Sequence, residues 1–456
     1  MRPLLIAAAL LLASCAQTPQ GQVTARQVSL PTATAALPPM KAFTSSAVTR
    51  PTRPNARIAG DFLDLTFQME TGQALPVLSR FEGPVTVAVA GRAPAQLNRD
   101  LDRLIARLRI EAGIDIRRAA PGAPGNITLE IVPRARLQAV VPDAACFVAP
   151  NVSSLGEYRR VRNQPQADWT RLTTRTRMAI FLPGDVAPQE MRDCLHEELA
   201  QALGPVNDMY RLSDSVFNDD NFHTILTGFD MLILRAYYAP ELESGMTRAQ
   251  VAARLPAILA RLNPGGGRGA PVMTPATPRA WKTAIEAASG SRGSDARRRQ
   301  AALRAVALAR EFGWVDTRLA YSLYVLGRLS LGVDSDRALA AFTEAERIYR
   351  SLPGTRLQAA NMGVQLAAYA LSAGRAAEAL AIVADHIGPV KTAQNAVLLS
   401  TLLMIRAEAL DMLGRKAEAA RVRLDSLGWA RYGFGSEAEV SARVAEISAI
   451  AARGQS

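Results

Sequence analysis

The 456-residue chain has no apolar stretch long enough to cross a bilayer, which takes about 20 residues; the run at its amino terminus is roughly half that. Aromatic residues are few, at 5%, and Lys stands only at Lys41, Lys282, Lys391 and Lys416, so the formal charge of +12 is almost wholly arginine. These arginines are scattered among acids along helical stretches and are not grouped with aromatics. The pattern argues for solvated helix faces over a nucleic-acid or polyanion surface. Histidine is equally sparse, with only His196, His223 and His386. His223 and His386 are lone and read as surface or capping residues. His196 precedes Glu197, but four residues on stands Ala200, which has no lone pair, so a His-Glu-x-x-His zinc motif is excluded in that frame.

What is present begins with Met1-Arg2-Pro3, an apolar run from Leu4 to Ala13, and Ser14-Cys15. A charged start, a short apolar core and small residues before a cysteine make a signal peptide. Leu12-Ala13-Ser14-Cys15 resembles the lipobox of bacterial lipoproteins, which implies cleavage after residue 14 and acylation of Cys15. One acyl chain anchors only marginally, and di- or triacylation supplies more. Ala16 carries no inner-membrane retention signal. The expectation is a lipid-anchored, periplasm-facing envelope protein, at the outer membrane, with the bilayer as one partner and no nucleic acid. The two remaining cysteines, Cys146 and Cys194, then lie in an oxidising compartment, where a disulfide is expected; two separate buried thiols are the alternative.

Residues 15–58 are rich in Pro, Thr, Ala and Gln without apolar periodicity and read as a disordered tether. Order is expected near Phe62, where Phe-Leu-Asp-Leu-Thr-Phe alternates. Pro84 to Gly91 alternates as a strand, residues 95–112 carry leucines at helical spacing, and strands are expected at 126–132 and 178–182. A helix from Pro188 to Gly204 follows, then helix from about Asn221 to Tyr237 and from Met246 to Leu262. Residues 59–263 are therefore expected to form an α+β domain. The Gly- and Pro-rich stretch 264–278 follows a helix and lacks the Lys-Ser/Thr ending of a phosphate loop, so it reads as a flexible linker.

From 279 to 456 the chain is helical and repetitive. Gly332, Gly374 and Gly414 recur at about 40 residues, each preceded by an aliphatic helix and followed by an Ala-rich one. This resembles tetratricopeptide repeats, with a period longer than usual, and implies stacked helix pairs that bind a protein or peptide. A plain helical bundle is the alternative.

The remaining motif is Glu197-Glu198-Leu-Ala-Gln201-Ala-Leu-Gly204-Pro-Val-Asn207-Asp208. Its spacing matches the metzincin pattern His-Glu-x-x-His-x-x-Gly-x-x-His/Asp, but the ligand positions hold Glu, Gln and Asn. On a helix Glu197 and Gln201 share one side, with His196 about 100° away, while Glu198 falls on the apolar stripe of Met191, Leu195, Leu199 and Ala202. A carboxyl aimed at a core is either hydrogen-bonded or carries a raised pKa. Together with Ser215 to Asp219, Leu226 to Asp230 and Tyr238 to Met246, the motif resembles a family of uncharacterised bacterial secreted domains of unknown function, similar in fold to zinc metallopeptidases. The resemblance implies a zincin-like fold, with Glu198 as candidate general base and Glu197, Gln201, Asn207 and Asp208 as candidate metal ligands. Such donors suit calcium or manganese better than zinc, so a divalent ion is the one cofactor left open, and a non-catalytic domain is favoured over a metal-dependent hydrolase acting on envelope protein or peptidoglycan peptide. Asp214, Asn218, Asp219, Asp220 and Asn221 form a second acidic cluster, whose spacing does not fit an EF-hand loop.

Overall fold

A computed structural model describes residues 37–44, 49–142 and 144–455. The expected signal peptide, Cys15 and most of the expected tether lie outside the described residues. No described helix is long and apolar enough to cross a membrane.

The first region contains α1 (Asn55–Phe67), β1 (Val85–Ala90), α2 (Ala95–Glu111), β2 (Ile116–Arg118), β3 (Ile127–Val132), α3 (Arg134–Gln138), β4 (Phe147–Pro150), α4 (Leu155–Val161), β5 (Met178–Pro183), α5 (Pro188–Leu203), α6 (Gly228–Tyr237) and α7 (Arg248–Leu262). Its sheet has five strands in the order β2-β1-β3-β5-β4. β2, β1, β3 and β5 run parallel, and β4 pairs antiparallel with β5 at the edge. Parallel neighbours need crossovers, which helices and long loops supply, so the expected α+β arrangement is an α/β region with a mixed sheet. Every residue of β5 is buried, which accounts for its continuous apolar sequence.

Several elements depart from expectation. The alternation at Phe62–Phe67 belongs to helix α1: Ile58, Phe62 and Leu65 are fully buried at helical spacing, and a short apolar run does not separate the two periods. Its aspartates are neutralised by arginines, the buried Asp61 by Arg53 and Arg211 and the half-buried Asp64 by Arg211 and Arg248. α6 starts at Gly228 and not near Asn221, because Thr227 and Asp230 form a capping box there. Residues 38–44, within the expected tether, lie on a helix near the carboxyl end: Lys41 N donates to Gly428 O at 2.9 Å, and Phe43 stacks on Trp429 with centroids 4.6 Å apart. Residues 264–278 run along α1, with Val272 N donating to Ala56 O at 2.8 Å.

The second region is a stack of paired helices: α8 (Arg279–Ser289) with α9 (Asp295–Glu311), α10 (Thr317–Ser330) with α11 (Ser335–Ser351), α12 (Arg356–Ser372) with α13 (Ala376–Thr392), α14 (Ala396–Met412) with α15 (Lys416–Gly433), and α16 (Glu437–Arg453) against α12 and α14. Gly332, Gly374 and Gly414 turn the chain within successive pairs at φ of 76°, 74° and 75°. A side chain is strained in that conformation, so glycine at each repeat has a direct cause.

The starts of α10, α12 and α14 face the α/β region. Thr317 Oγ1 donates to Tyr210 O, Gln358 Nε2 to Ser213 O, and the amides of Ala396 and Val397 to Gln189 Oε1. Tyr210 packs edge-on to Trp281 at 4.9 Å, and Phe222 sits between Tyr321 and Tyr349, each at 6.0 Å. An aromatic seam thus holds the helical layer against the loop that follows α5.

Candidate functional site

α5 is fixed from both sides and at both ends. Pro188 occupies its first turn, where a missing amide is harmless. Met191, Leu195, Leu199 and Ala202 are buried toward the core, and a disulfide joins Cys194 to Cys146 just ahead of β4. At the far end the buried Arg175 guanidinium donates to the carbonyls of Gln201 and Gly204, satisfying acceptors the helix leaves open. Gly204 is required for a different reason from a left-handed cap: its φ is −167°, and a Cβ there would sit 3.1 Å from the Tyr237 ring.

Beyond Gly204 the chain turns back beside α5. Asn207 Nδ2 donates to Asp64 O at 3.0 Å, and Gln201 Nε2 to Asp208 Oδ2 at 3.2 Å. Of the four expected ligands, then, Gln201 and Asp208 meet directly, while Asn207 is turned onto α1. Glu197 is half-buried on the same face as Gln201. Glu198 is 5% exposed, and its Oε2 has no hydrogen-bond partner; Asp208 Oδ1, also buried, has none either.

Two further carboxylates converge here. Glu70, on the turn after α1, and Asp219, from the loop before α6, each place an oxygen within 4.8 Å of Asp208 and of one another. Glu70 carried no local signal in the sequence. Asp219 was visible only as one acid of the second cluster, and the structure separates that cluster: Asp214 pairs with Arg53, Asn218 and Asp220 bond within their own turn, and only Asp219 faces Asp208.

Burial and mutual repulsion raise these acids together. Burial, then the charges of Glu70, Asp219 and Asp193, pushes Glu197 up to about 8. Burial followed by Glu197 and Glu70 drives Glu198 well above the usual range, and Asp208 is likewise raised by burial and by Glu197 and Glu70. Asp219 is raised to about 7, by burial first and Glu70 second, against the pull of Lys282. A carboxyl with a raised pKa in the fold holds its proton more tightly than in the unfolded chain, where it titrates near ~4. Its stabilisation is complete below that value and is lost as pH rises to the folded pKa. Without divalent ions, thermal stability is therefore expected to fall steadily from pH 5 to 8, and Glu198→Gln to flatten the decline. A melting series in chelator-treated buffer measures this; stability that rises over that range would contradict the assignment.

None of the histidines joins the centre. His196 Nδ1 accepts from Leu226 N at 3.2 Å, and burial lowers its pKa well below normal, so it is a neutral core residue. His386, expected at the surface or as a cap, is 3% exposed because α13 presents it to Gly363, which has no Cβ to obstruct it. His223 is half-buried, with its pKa lowered by burial to about 4. Two clefts flank the centre. One of about 320 Å³ is bordered by Glu70, Asn207, Arg211 and Lys282. The other, about 270 Å³, is bordered by Glu197, Asp193, His223 and the disulfide.

Together these features define an α/β domain with an oxygen-only acidic centre, packed against a helical repeat-like layer. Residues 55–257 match the model of a family described as Protein of unknown function (DUF2927). No curated protein and no solved structure matches the chain.

Proposed function

We propose that this is a lipid-anchored binding protein of the bacterial envelope. In this reading a zincin-like domain has lost zinc chemistry, and the tetratricopeptide-like layer engages a protein or peptide partner. The carrying observation is the donor set at the metzincin-spaced positions. Glu197, Gln201 and Asn207 offer no imidazole or thiolate, and the amide nitrogens of Gln201 and Asn207 are already committed to Asp208 and Asp64. Zinc that activates water is held by nitrogen-rich or sulfur-containing sets. The hydrolase alternative also needs Glu198 as an ionised base, and burial, then the charges of Glu197 and Glu70, opposes that ionisation.

The α/β region covers the starts of α10, α12 and α14 and the end of α15, where Tyr432 Oη donates to Asp100, so the exposed faces of α11, α13 and the first half of α15 are the accessible layer. Arg347, Asp385 and Leu424 are exposed on these three helices. A photo-crosslinking residue at each position, in cells, is expected to capture the same protein from at least two of them. Absence of adducts from all three, with the chain folded and exported, would count against the binding role. Cys15→Ser is expected to move the chain from membrane to soluble fractions.

A further inference from the structure

We propose that Glu70, Asp208 and Asp219 form a site for a hard divalent cation of the calcium class, with Glu197 and Glu198 as neighbouring carboxyl groups. This does not rest on the helical layer binding a partner.

Three chain segments meet at this point: the turn after α1, the return from α5, and the loop before α6. One oxygen from each acid lies within 4.8 Å of the others, a separation that a single ion with oxygen ligands at 2.3–2.6 Å spans after small side-chain adjustments. The donors are carboxylate oxygens alone, which select a hard ion over zinc or copper. Buried acceptors without partners supply a second, separate indication. Asp208 Oδ1 and Glu198 Oε2 are buried with no amide or cationic donor, and the side chain that meets Asp208 besides Gln201 is the Glu70 carboxyl; a buried acceptor of this kind carries a desolvation cost unless a ligand satisfies it. Asp208 has its other oxygen fixed by Gln201, so its free oxygen is oriented by the fold.

Charge and access agree with this assignment. Of the cations bordering the entry cleft, Arg211 is engaged by Asp61 and Asp64 and Arg279 by Glu286, and Lys282 is the one that acts on Asp219. Glu70 is exposed and borders the cleft of about 320 Å³, so an ion reaches the centre without unfolding. Asp208, at the inner end, is 4% exposed. The position differs from the metzincin-spaced set: Asn207 is turned away, and Glu70 and Asp219 replace it.

The test uses the full chain in detergent, stripped of metal with a chelator and titrated calorimetrically with CaCl2, with MgCl2, MnCl2 and ZnCl2 in parallel. Thermal unfolding with and without CaCl2 completes it. One calcium per chain is expected to bind, with Kd on the order of 10⁻⁴ to 10⁻³ M or tighter, and to raise the melting temperature. Glu70→Gln, on an exposed turn and so without effect on folding, is expected to weaken binding roughly tenfold or more. Asp208→Asn is expected to abolish binding and to melt, metal-free, no lower than the parent. No saturable uptake of calcium, magnesium or manganese by the parent chain would overturn the proposal. So would uptake unchanged by both Glu70→Gln and Asp219→Asn, or stoichiometric zinc binding without calcium binding. If partner crosslinking fails while calcium binds, the cation site stands and the binding role falls.

Discussion

Replacing Asp230 with Ala is expected to lower the folding free energy by about 2–4 kcal/mol, from one buried and one half-buried amide left without acceptors and a lost helix cap. Asp230 is fully buried. Its carboxylate accepts from Thr227 N at 2.8 Å and Thr227 Oγ1 at 3.0 Å, which caps α6, and from Ser215 Oγ and Val216 N, which pins the preceding loop. The hydroxyls reorient when the acceptor disappears; the amides of Val216 and Thr227 cannot. Burial raises the Asp230 pKa to about 6 in spite of these donors, so the carboxylate is held at neutral pH by its hydrogen bonds alone. Asp230→Asn keeps one acceptor oxygen and is expected to lose about half as much. Urea unfolding of both variants measures the difference. Because the same loop carries Asp219, the Ala variant should also perturb the acidic centre. A loss under about 1 kcal/mol for the Ala variant would mean the loop is not held as described.

The disulfide carries the second large effect. Cys146 and Cys194 are 48 residues apart, and closing a loop of that length restricts the unfolded chain by about 4 kcal/mol in the chain-entropy treatment. The link ties α5 to the edge strand β4, which is short and pairs only with β5. The double variant Cys146→Ala and Cys194→Ala is therefore expected to unfold at markedly lower denaturant concentration, with β4 loosening first. The carboxylate centre should survive in the folded fraction, since Arg175 and the apolar stripe still hold α5. Amide exchange would show this as faster exchange in 147–150 with protection retained in 195–203. Equal loss of protection in both segments would contradict that division.

Legibility in the sequence followed the range of the interaction that fixes each element. β1, α2, β3, β5 and α5 were readable because each carries its own periodicity or terminating residue, and the glycines at 332, 374 and 414 mark turns that only a few neighbours determine. α1 was misread as an alternating stretch, since five or six residues cannot distinguish a buried strand from a buried helix turn. β2 and β4, three and four residues long, are held by their sheet partners and have no pattern of their own. The seating of Lys41 and Phe43 on the last helix pair is a contact across nearly 390 positions, marked locally by nothing beyond a lone aromatic. Within the site, Glu197, Glu198 and Gln201 were legible because helical spacing relates them, and Asp208 because it closes the same motif past Gly204. Glu70 was not: it arrives from a turn with no relation to the motif except through tertiary packing. Asn207 illustrates the opposite case, a residue at the right spacing whose amide the fold uses to satisfy a carbonyl of α1.

Zinc content and peptide cleavage, measured together on the full chain purified without added metal or chelator, test the central claim most directly. The account predicts zinc far below one ion per chain and no peptide hydrolysis that Glu198→Gln removes. One zinc per chain, lost on Glu197→Gln, together with hydrolysis abolished by Glu198→Gln, would contradict it.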